Sequence, residues 1–148
     1  MAAKLGDRRW QDLLERHHTS IRDELKKYDG QEIDTAGDSF LATFSIPAQG
    51  IQCASAIIDS LGKLDINVRV GLHLGECEKV GKGICGIGVH IGARIAALAS
   101  PGEVLVSSTI KDAAVGSEIK FEDSGAHTLK GIPGEWQLFK INRESVRF

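Results

Sequence analysis

The sequence predicts one α/β domain, strands and helices alternating with a hairpin inserted, and three observations carry that expectation. Apolar residues recur at helical spacing in some stretches, alternate with period two in others, and the two patterns take turns along the chain. A chain of 148 residues suits one domain with a real core and is too short for two ordinary ones. An apolar content of 42% and a charged content of 26% are those of a soluble globular protein. The net charge of −2, with both signs interspersed, gives no footprint for a nucleic acid polymer or an anionic membrane. No apolar run reaches the roughly 18 residues of a membrane helix, and "MAAKLGDRRWQ" lacks the apolar core of a signal peptide. Cys53, Cys77 and Cys85 form no pairing pattern, so reduced thiols in a cytoplasmic protein are expected.

The elements follow in order. "DRRWQDLLERHHTSIRDELKKY" puts Trp10, Leu13, Leu14, His17, Ile21 and Leu25 on one face of a helix over 7–28. Asp7 suits its N-cap, and Gly6 separates it from "MAAKL", which reads as the end of a different helix. Residues 31–45 form a hairpin: in "EIDTAGDSFLATF", Phe40, Ala42 and Phe44 alternate with Ser39, Leu41 and Thr43, and Gly37-Asp38 stands at the turn. "PAQGIQCASAIIDSLGKL" is a helix with Pro47 in its first turn and Ile51, Ala54, Ile58 and Leu61 inward. Over 67–98 come a strand, "NVRVGLHLGE", with Val68, Val70, Leu72 and Leu74 alternating, then a glycine-rich connection and a helix of small residues, "VHIGARIAALA". "SPGEVLVSS" gives a short strand, "STIKDAAVG" a short helix, and residues 119–142 two strands around a Gly/Pro turn. Nothing breaks this order, so residues 1–148 read as one domain.

Several chemical motifs are absent or weak. Gly81, Gly83 and Gly86 match the spacing of a dinucleotide fingerprint, with Glu103 at a suitable distance, but Glu76, Glu78 and Lys79 interrupt the apolar strand that motif requires. Lys82 is followed by Gly83, not Ser or Thr, so no phosphate loop of that type exists. His17 and His18 diverge by about 100° on a helix, which argues against a shared metal, and His17 falls on the apolar face as a packed core histidine. Cys77 and Cys85 lack the second pair of a zinc site, and there is no Gly-x-Ser-x-Gly nucleophile turn. Two features remain. His90 and Arg94 are i, i+4 on a helix otherwise lined by Ile91, Ile95, Leu98 and alanines, which suits either a solvated pair or an anion site. Asp38 either satisfies its own turn or offers a carboxylate to a metal.

Taken together, "EIDTAGDSFLATF", "VRVGLHLGE", "GICGIGVHIGARIAALASPGEVLVS" and "LKGIPGEWQLF" resemble the class III adenylate/guanylate cyclases, in family order and over nearly the whole chain. The resemblance implies an α+β fold, a ferredoxin-like, antiparallel-rich sheet with helices packed on one side. It also implies a head-to-tail homodimer whose active sites lie at the interface. The implied reaction converts a nucleoside triphosphate, ATP by family prevalence and otherwise GTP, to its 3′,5′-cyclic monophosphate and pyrophosphate. Two divalent ions, Mg²⁺ or Mn²⁺, would serve the nucleophile and the leaving group. On this resemblance Asp38 matches the hairpin metal aspartate, Arg94 the transition-state arginine and His90 the ribose-steadying asparagine. Lys130 matches a lysine reaching the terminal phosphates.

The departures are equally specific. Asp34 stands where many adenylate-specific members carry a base-reading lysine, and Gly83 where they carry its partner aspartate. The first strand of the family and its metal aspartate have no counterpart, which implies unpaired edges within the sheet and impaired turnover. An inactive dimerisation or regulatory domain is the alternative. Met1 is then expected to be an internal methionine of a longer reading frame, or an artificial boundary. Upstream DNA with no in-frame apolar strand ending in Asp would refute this.

Overall fold

Glycine punctuates the first helix where the sequence places the break. Helix α1 spans Ala2–Lys27, but Gly6 sits at φ 75°, ψ 159°, so the continuous helix begins at Asp7. The computed structural model describes residues 2–36, 39–75, 78–80, 83–85 and 87–146, and only the backbone of residues 2–5, 34, 36, 78–80, 83–85 and 87. The hairpin follows as β1 (Gln31–Ala36) and β2 (Ser39–Thr43), antiparallel, with an irregularity between Glu32 and Asp34. Helix α2 (Pro47–Gly62) has proline at its start, where the missing N–H costs nothing. Strand β3 (Val70–Leu72), the small hairpin of β4 (Glu78–Val80) and β5 (Gly83–Cys85), and helix α3 (Ile87–Leu98) come next. Strand β6 (Val104–Ser107), helix α4 (Ser108–Ala113), the long hairpin of β7 (Phe121–Leu129) and β8 (Ile132–Ile141), and a final 3₁₀ turn (Arg143–Ser145) complete the described chain.

The strands fall into separate sheets. β3–β6–β8–β7 form a four-stranded sheet, parallel between β3 and β6 and antiparallel elsewhere. β1–β2 and β4–β5 are independent two-stranded ribbons. Strand β3 is shorter than the alternation in "NVRVGLHLGE" suggests, and among the described residues only β6 pairs with it; Gly102 N–H to Val68 O (2.7 Å) and Val70 N–H to Glu103 O (3.1 Å) carry the pairing back towards its start. The turn of the long hairpin is Lys130-Gly131, with Gly131 at φ 80°, and Pro133 lies just inside β8.

Three apolar clusters hold these pieces. Alternate residues of a strand face opposite ways, and β6 uses both faces. Val104 and Val106 pack with Ile51, Ala54 and Ile58 of α2 and with Ile110 of α4. Leu105 packs on the other side with Ile91, Ile95 and Ala99 of α3 and with Leu129, Ile132 and Leu138. The third cluster joins Ile21 and Leu25 of α1 to Cys53 and Leu61 of α2, with Phe40, Ala42 and Phe44 of β2 packed against it. His17 is buried, its ring 6.2 Å from that of Phe40, as its place on the apolar face of α1 suggests. Trp10, Leu13 and Leu14 are only half-buried, so that face closes over its second half alone. Glu24, a charged residue of the same helix, is nonetheless buried, with Lys27 at 3.2 Å and the Ser60 hydroxyl at 3.3 Å.

Between β2 and β3 lies a cavity of about 1000 Å³, lined among others by Trp10, Phe40, Phe44, Val68, Val70 and Gly92. Its walls are mainly apolar side chains of α1, β2, β3 and α3. Among the described residues the hairpin and the four-stranded sheet are not hydrogen-bonded to one another, which leaves unpaired edges there as the sequence leads one to expect.

Candidate functional site

Helix α3 is fixed from beneath. Gly71 of β3 faces it so closely that a Cβ there would lie 2.3 Å from Ala96 N and 2.8 Å from Gly92 O. Only glycine permits that approach of strand to helix backbone. Ile91, Ile95 and Ala99 are buried on the sheet side, which leaves His90 and Arg94 exposed together, one helical turn apart. Neither makes an ion pair or side-chain hydrogen bond with another described residue. A guanidinium and an imidazole presented this way by a rigid helix can meet an anionic oxygen.

The other sequence-nominated residues divide between described and undescribed positions. Lys130 is exposed at the tip of the β7–β8 hairpin, and its neighbours Leu129 and Ile132 share the cluster of Ile91 and Ile95, so the turn is built onto the same unit as α3. Asp34 lies on β1 opposite Leu41, and Gly83 begins β5 opposite Val80; only their backbones are described. Asp38 lies outside the described residues, as do Cys77, Gly81, Lys82 and Gly86. Among the described residues no three His, Cys, Asp or Glu side chains gather as a metal ion would need. The described residues alone therefore do not form a metal site, and no chemical step is derived through one.

A polar cluster beneath α3 escapes sequence reasoning. His73, just beyond β3, places Nδ1 2.7 Å from the Ser107 hydroxyl, which is itself 2.8 Å from the Thr109 hydroxyl. The Leu74 N–H donates to Thr109 Oγ1 at 3.3 Å. The Trp136 ring stands edge-on to the imidazole at 5.8 Å, and burial lowers the His73 pKa from its ordinary 6.5. The signal available in the sequence was the spacing of Gly71 and His73, two apart on one strand face, with Ser107 closing an apolar strand.

On the hairpin, the Arg22 guanidinium reaches Glu32 at 2.7 and 3.0 Å and lies over the Phe40 ring at 5.5 Å. Hydrogen bonds from Arg22 and from the Thr35 hydroxyl hold the Glu32 carboxyl down at about 2. This pair fastens β1 to α1 and sits on the same strand as Asp34.

A family model described as the adenylate and guanylate cyclase catalytic domain matches residues 3–143. The serine/threonine-protein kinase pkn2 of Myxococcus xanthus is 30% identical over 139 residues, covering 88% of this chain and 17% of that protein. The putative adenylate cyclase 3 of Rhizobium meliloti is 31% identical over 133 residues, covering 84% of this chain and 22% of that protein. The chain thus spans about a fifth of the length of these relatives. Among solved structures, an adenylate/guanylate cyclase/hydrolase from Silicibacter pomeroyi aligns with TM-score 0.77 at 24% identity, over 88% of this chain and 85% of that one. The adenylyl cyclase CyaB from P. aeruginosa aligns with TM-score 0.78 at 18% identity, over 88% and 81%. At such identities the likeness speaks for the fold. No helix among the described residues is long and apolar enough to cross a membrane.

Proposed function

Because the chain belongs to the adenylate and guanylate cyclase catalytic-domain family, we propose that it acts as a cytoplasmic nucleotide cyclase domain. In this reading it closes ATP to 3′,5′-cyclic AMP and releases pyrophosphate at an interface between two copies of itself. The observation that supports this most is α3: a helix locked into the core by Gly71 and its isoleucines, offering His90 and Arg94 side by side to whatever approaches its exposed face.

In the proposed reaction the ribose 3′-oxygen attacks the α-phosphorus while the bond to the bridging oxygen breaks, and pyrophosphate carries away that electron pair. Charge builds on the α-phosphate oxygens as this happens. Arg94 is suited to neutralise it, because a guanidinium gives two parallel charged hydrogen bonds without losing its own charge. His90 donates a hydrogen bond to the ribose, and Lys130, on its exposed turn, meets the terminal phosphates. Asp34 and Gly83 lie along the base. Asp38 of one copy works with His90 and Arg94 of the other. Mg²⁺ or Mn²⁺ would take Asp38 as its ligand from this chain. The departures at Asp34 and Gly83 from the adenine-reading pair favour two further readings: GTP as substrate with cyclic GMP as product, or a domain that dimerises and regulates without turnover.

The test is to incubate the folded chain with ATP or GTP and Mn²⁺ or Mg²⁺ and to measure the cyclic nucleotide. Arg94→Ala should lower turnover by roughly 10²-fold or more while nucleotide binding is nearly kept. Mixing inactive Asp38→Ala and Arg94→Ala chains should restore activity if sites are shared. Equal losses of binding and turnover would overturn the role of Arg94. No product from the folded wild-type chain would favour the regulatory reading.

A further inference from the structure

Strand β1 is out of step with its own alternation. Its pairing with β2 runs Gln31 with Thr43 and Glu32 with Ala42, then Asp34 with Leu41, Thr35 with Phe40 and Ala36 with Ser39. Ile33 is the extra residue of a β-bulge. Paired residues of an antiparallel ladder project to one side, and Phe40 and Ala42, two apart on β2, share a side. Glu32 and Thr35 therefore share it too, although they are three residues apart, which a regular strand does not allow. Across the bulge the Thr35 hydroxyl donates to the Glu32 carboxylate, a bond that the bulge alone makes possible.

The same carboxylate is gripped from outside the hairpin. Arg22 of α1 gives it two hydrogen bonds, 2.7 and 3.0 Å, and lies 5.5 Å from the centre of the Phe40 ring. A residue of α1, one from before the bulge and one from after it thus meet on a single face. Little else specifies the register of β1. Strand β2 is fixed by Phe40, Ala42 and Phe44, which pack on the cluster of α1 and α2. In "QEIDTA", by contrast, Ile33 is the only large apolar residue, and a strand so polar slips readily. A straight ladder would regain the pairing lost at the bulge: Ile33 would face Leu41, Asp34 would face Phe40 and Thr35 would face Ser39. Thr35 would then turn away from Glu32, and three residues instead of two would separate the strands at the tip.

We infer that Arg22, Glu32 and Thr35 are positioning residues: together they hold the bulge, and so fix the register that leaves only Gly37 and Asp38 between Ala36 and Ser39. A slip of one residue would exchange Thr35 for Asp34 opposite Phe40 and add Ala36 to the tip. It would therefore shift both residues nominated on this hairpin, Asp34 and Asp38. The consequence for turnover rests on the cyclase reading; the register of the hairpin does not.

The experiment compares the whole wild-type chain with Glu32→Ala, and with Glu32→Ala carrying a deletion of Ile33. Cross-strand backbone contacts are read by NMR. The wild type should show Asp34 against Leu41 and Thr35 against Phe40. Glu32→Ala should show Asp34 against Phe40 and Thr35 against Ser39. Deleting Ile33 removes the residue that makes a bulge necessary, so the wild-type pairing of 34–36 should return without the carboxylate. Cyclic nucleotide formation should fall by roughly 10²-fold in Glu32→Ala, as for a misplacement remote from the chemistry, and should largely recover in the deletion variant. Recovery separates a role in register from a general loss of stability, which a further deletion would only deepen. Should Glu32→Ala fail to fold, Thr35→Val, which keeps the Arg22 pair and loses only the bond across the bulge, is read by the same contacts. Wild-type pairing in the folded variant, or a deletion that leaves the slipped pairing in place, would overturn the proposal. If the wild-type chain forms no cyclic nucleotide, the cyclase reading fails and the pairing alone decides the role of the three residues.

Discussion

Substituting alanine for Gly71 forces a methyl group into the backbone of a helix. The added carbon would sit 2.3 Å from Ala96 N, 2.8 Å from Ala96 Cα and 2.8 Å from Gly92 O, whereas ordinary contact begins near 3.4 Å. None of these atoms is the end of a flexible side chain, so relief requires α3 to move away from β3 by about 1 Å, the difference between those limits. That shift loosens Ile91, Ile95 and Ala99, all buried under α3. Overpacking in a core costs roughly 1–3 kcal/mol, and with backbone on both sides the upper end applies, about 3 kcal/mol. For a urea slope of about 2 kcal/mol per molar, the unfolding midpoint should fall by roughly 1.5 M. Gly92→Ala is the matched control. Nothing lies within 4 Å of a Cβ there, and replacing a mid-helix glycine should stabilise by up to about 1 kcal/mol, raising the midpoint by roughly 0.5 M. Urea unfolding followed by circular dichroism measures both. A fall of less than about 0.3 M for Gly71→Ala, or equal effects in the two variants, would show that β3 and α3 do not meet as described.

Two further outcomes test other parts of the chain. The Glu32 carboxyl is held at about 2 against an ordinary 4.5, so its pairing contributes fully above 4.5 and is lost as pH falls towards 2. The difference in urea midpoint between wild type and Glu32→Gln should therefore shrink through that window, and shrink with added salt at pH 6 because the pair is exposed; a difference constant with pH would refute the assignment. The apolar cavity between β2 and β3 should bind the dye ANS in the native state. Dye fluorescence no higher than in buffer, from folded protein, would mean the walls have closed or another chain segment fills the space.

The fold was legible where side chains repeat and illegible where they are missing. The stripe of α1, the hairpin alternation and the paired strands of 119–142 declare themselves because each buries one face against a partner. Strand β3 does not. Its valines and leucine mark one buried face, and Arg69, Gly71 and His73 read as the outer one. The structure covers both: Val70 and Leu72 pack into the α2 cluster while Gly71 admits α3 on the other side. A glycine hides a contact from any pattern of hydrophobicity, since it contributes the space and not the surface. Leu74, expected inward, is 45% exposed because the strand has already ended at Leu72.

The same reasoning explains what could be read of the site. His90 and Arg94 stand out in sequence because two polar residues interrupt an apolar, small-residue helix at a spacing that brings them together. The polar cluster of His73 does not stand out, because its contacts are distant in sequence: His73 meets Ser107 across 34 residues and Thr109 across 36. A histidine just past a strand, a serine ending another and a threonine in the first turn of a helix carry no joint signature along the chain beyond the spacing of Gly71 and His73. It takes the parallel pairing of Leu72 with Val106 to bring the first two side by side on the face below α3. Any account of how α3 presents its exposed face must run through Gly71, which sets the distance of α3 from the sheet.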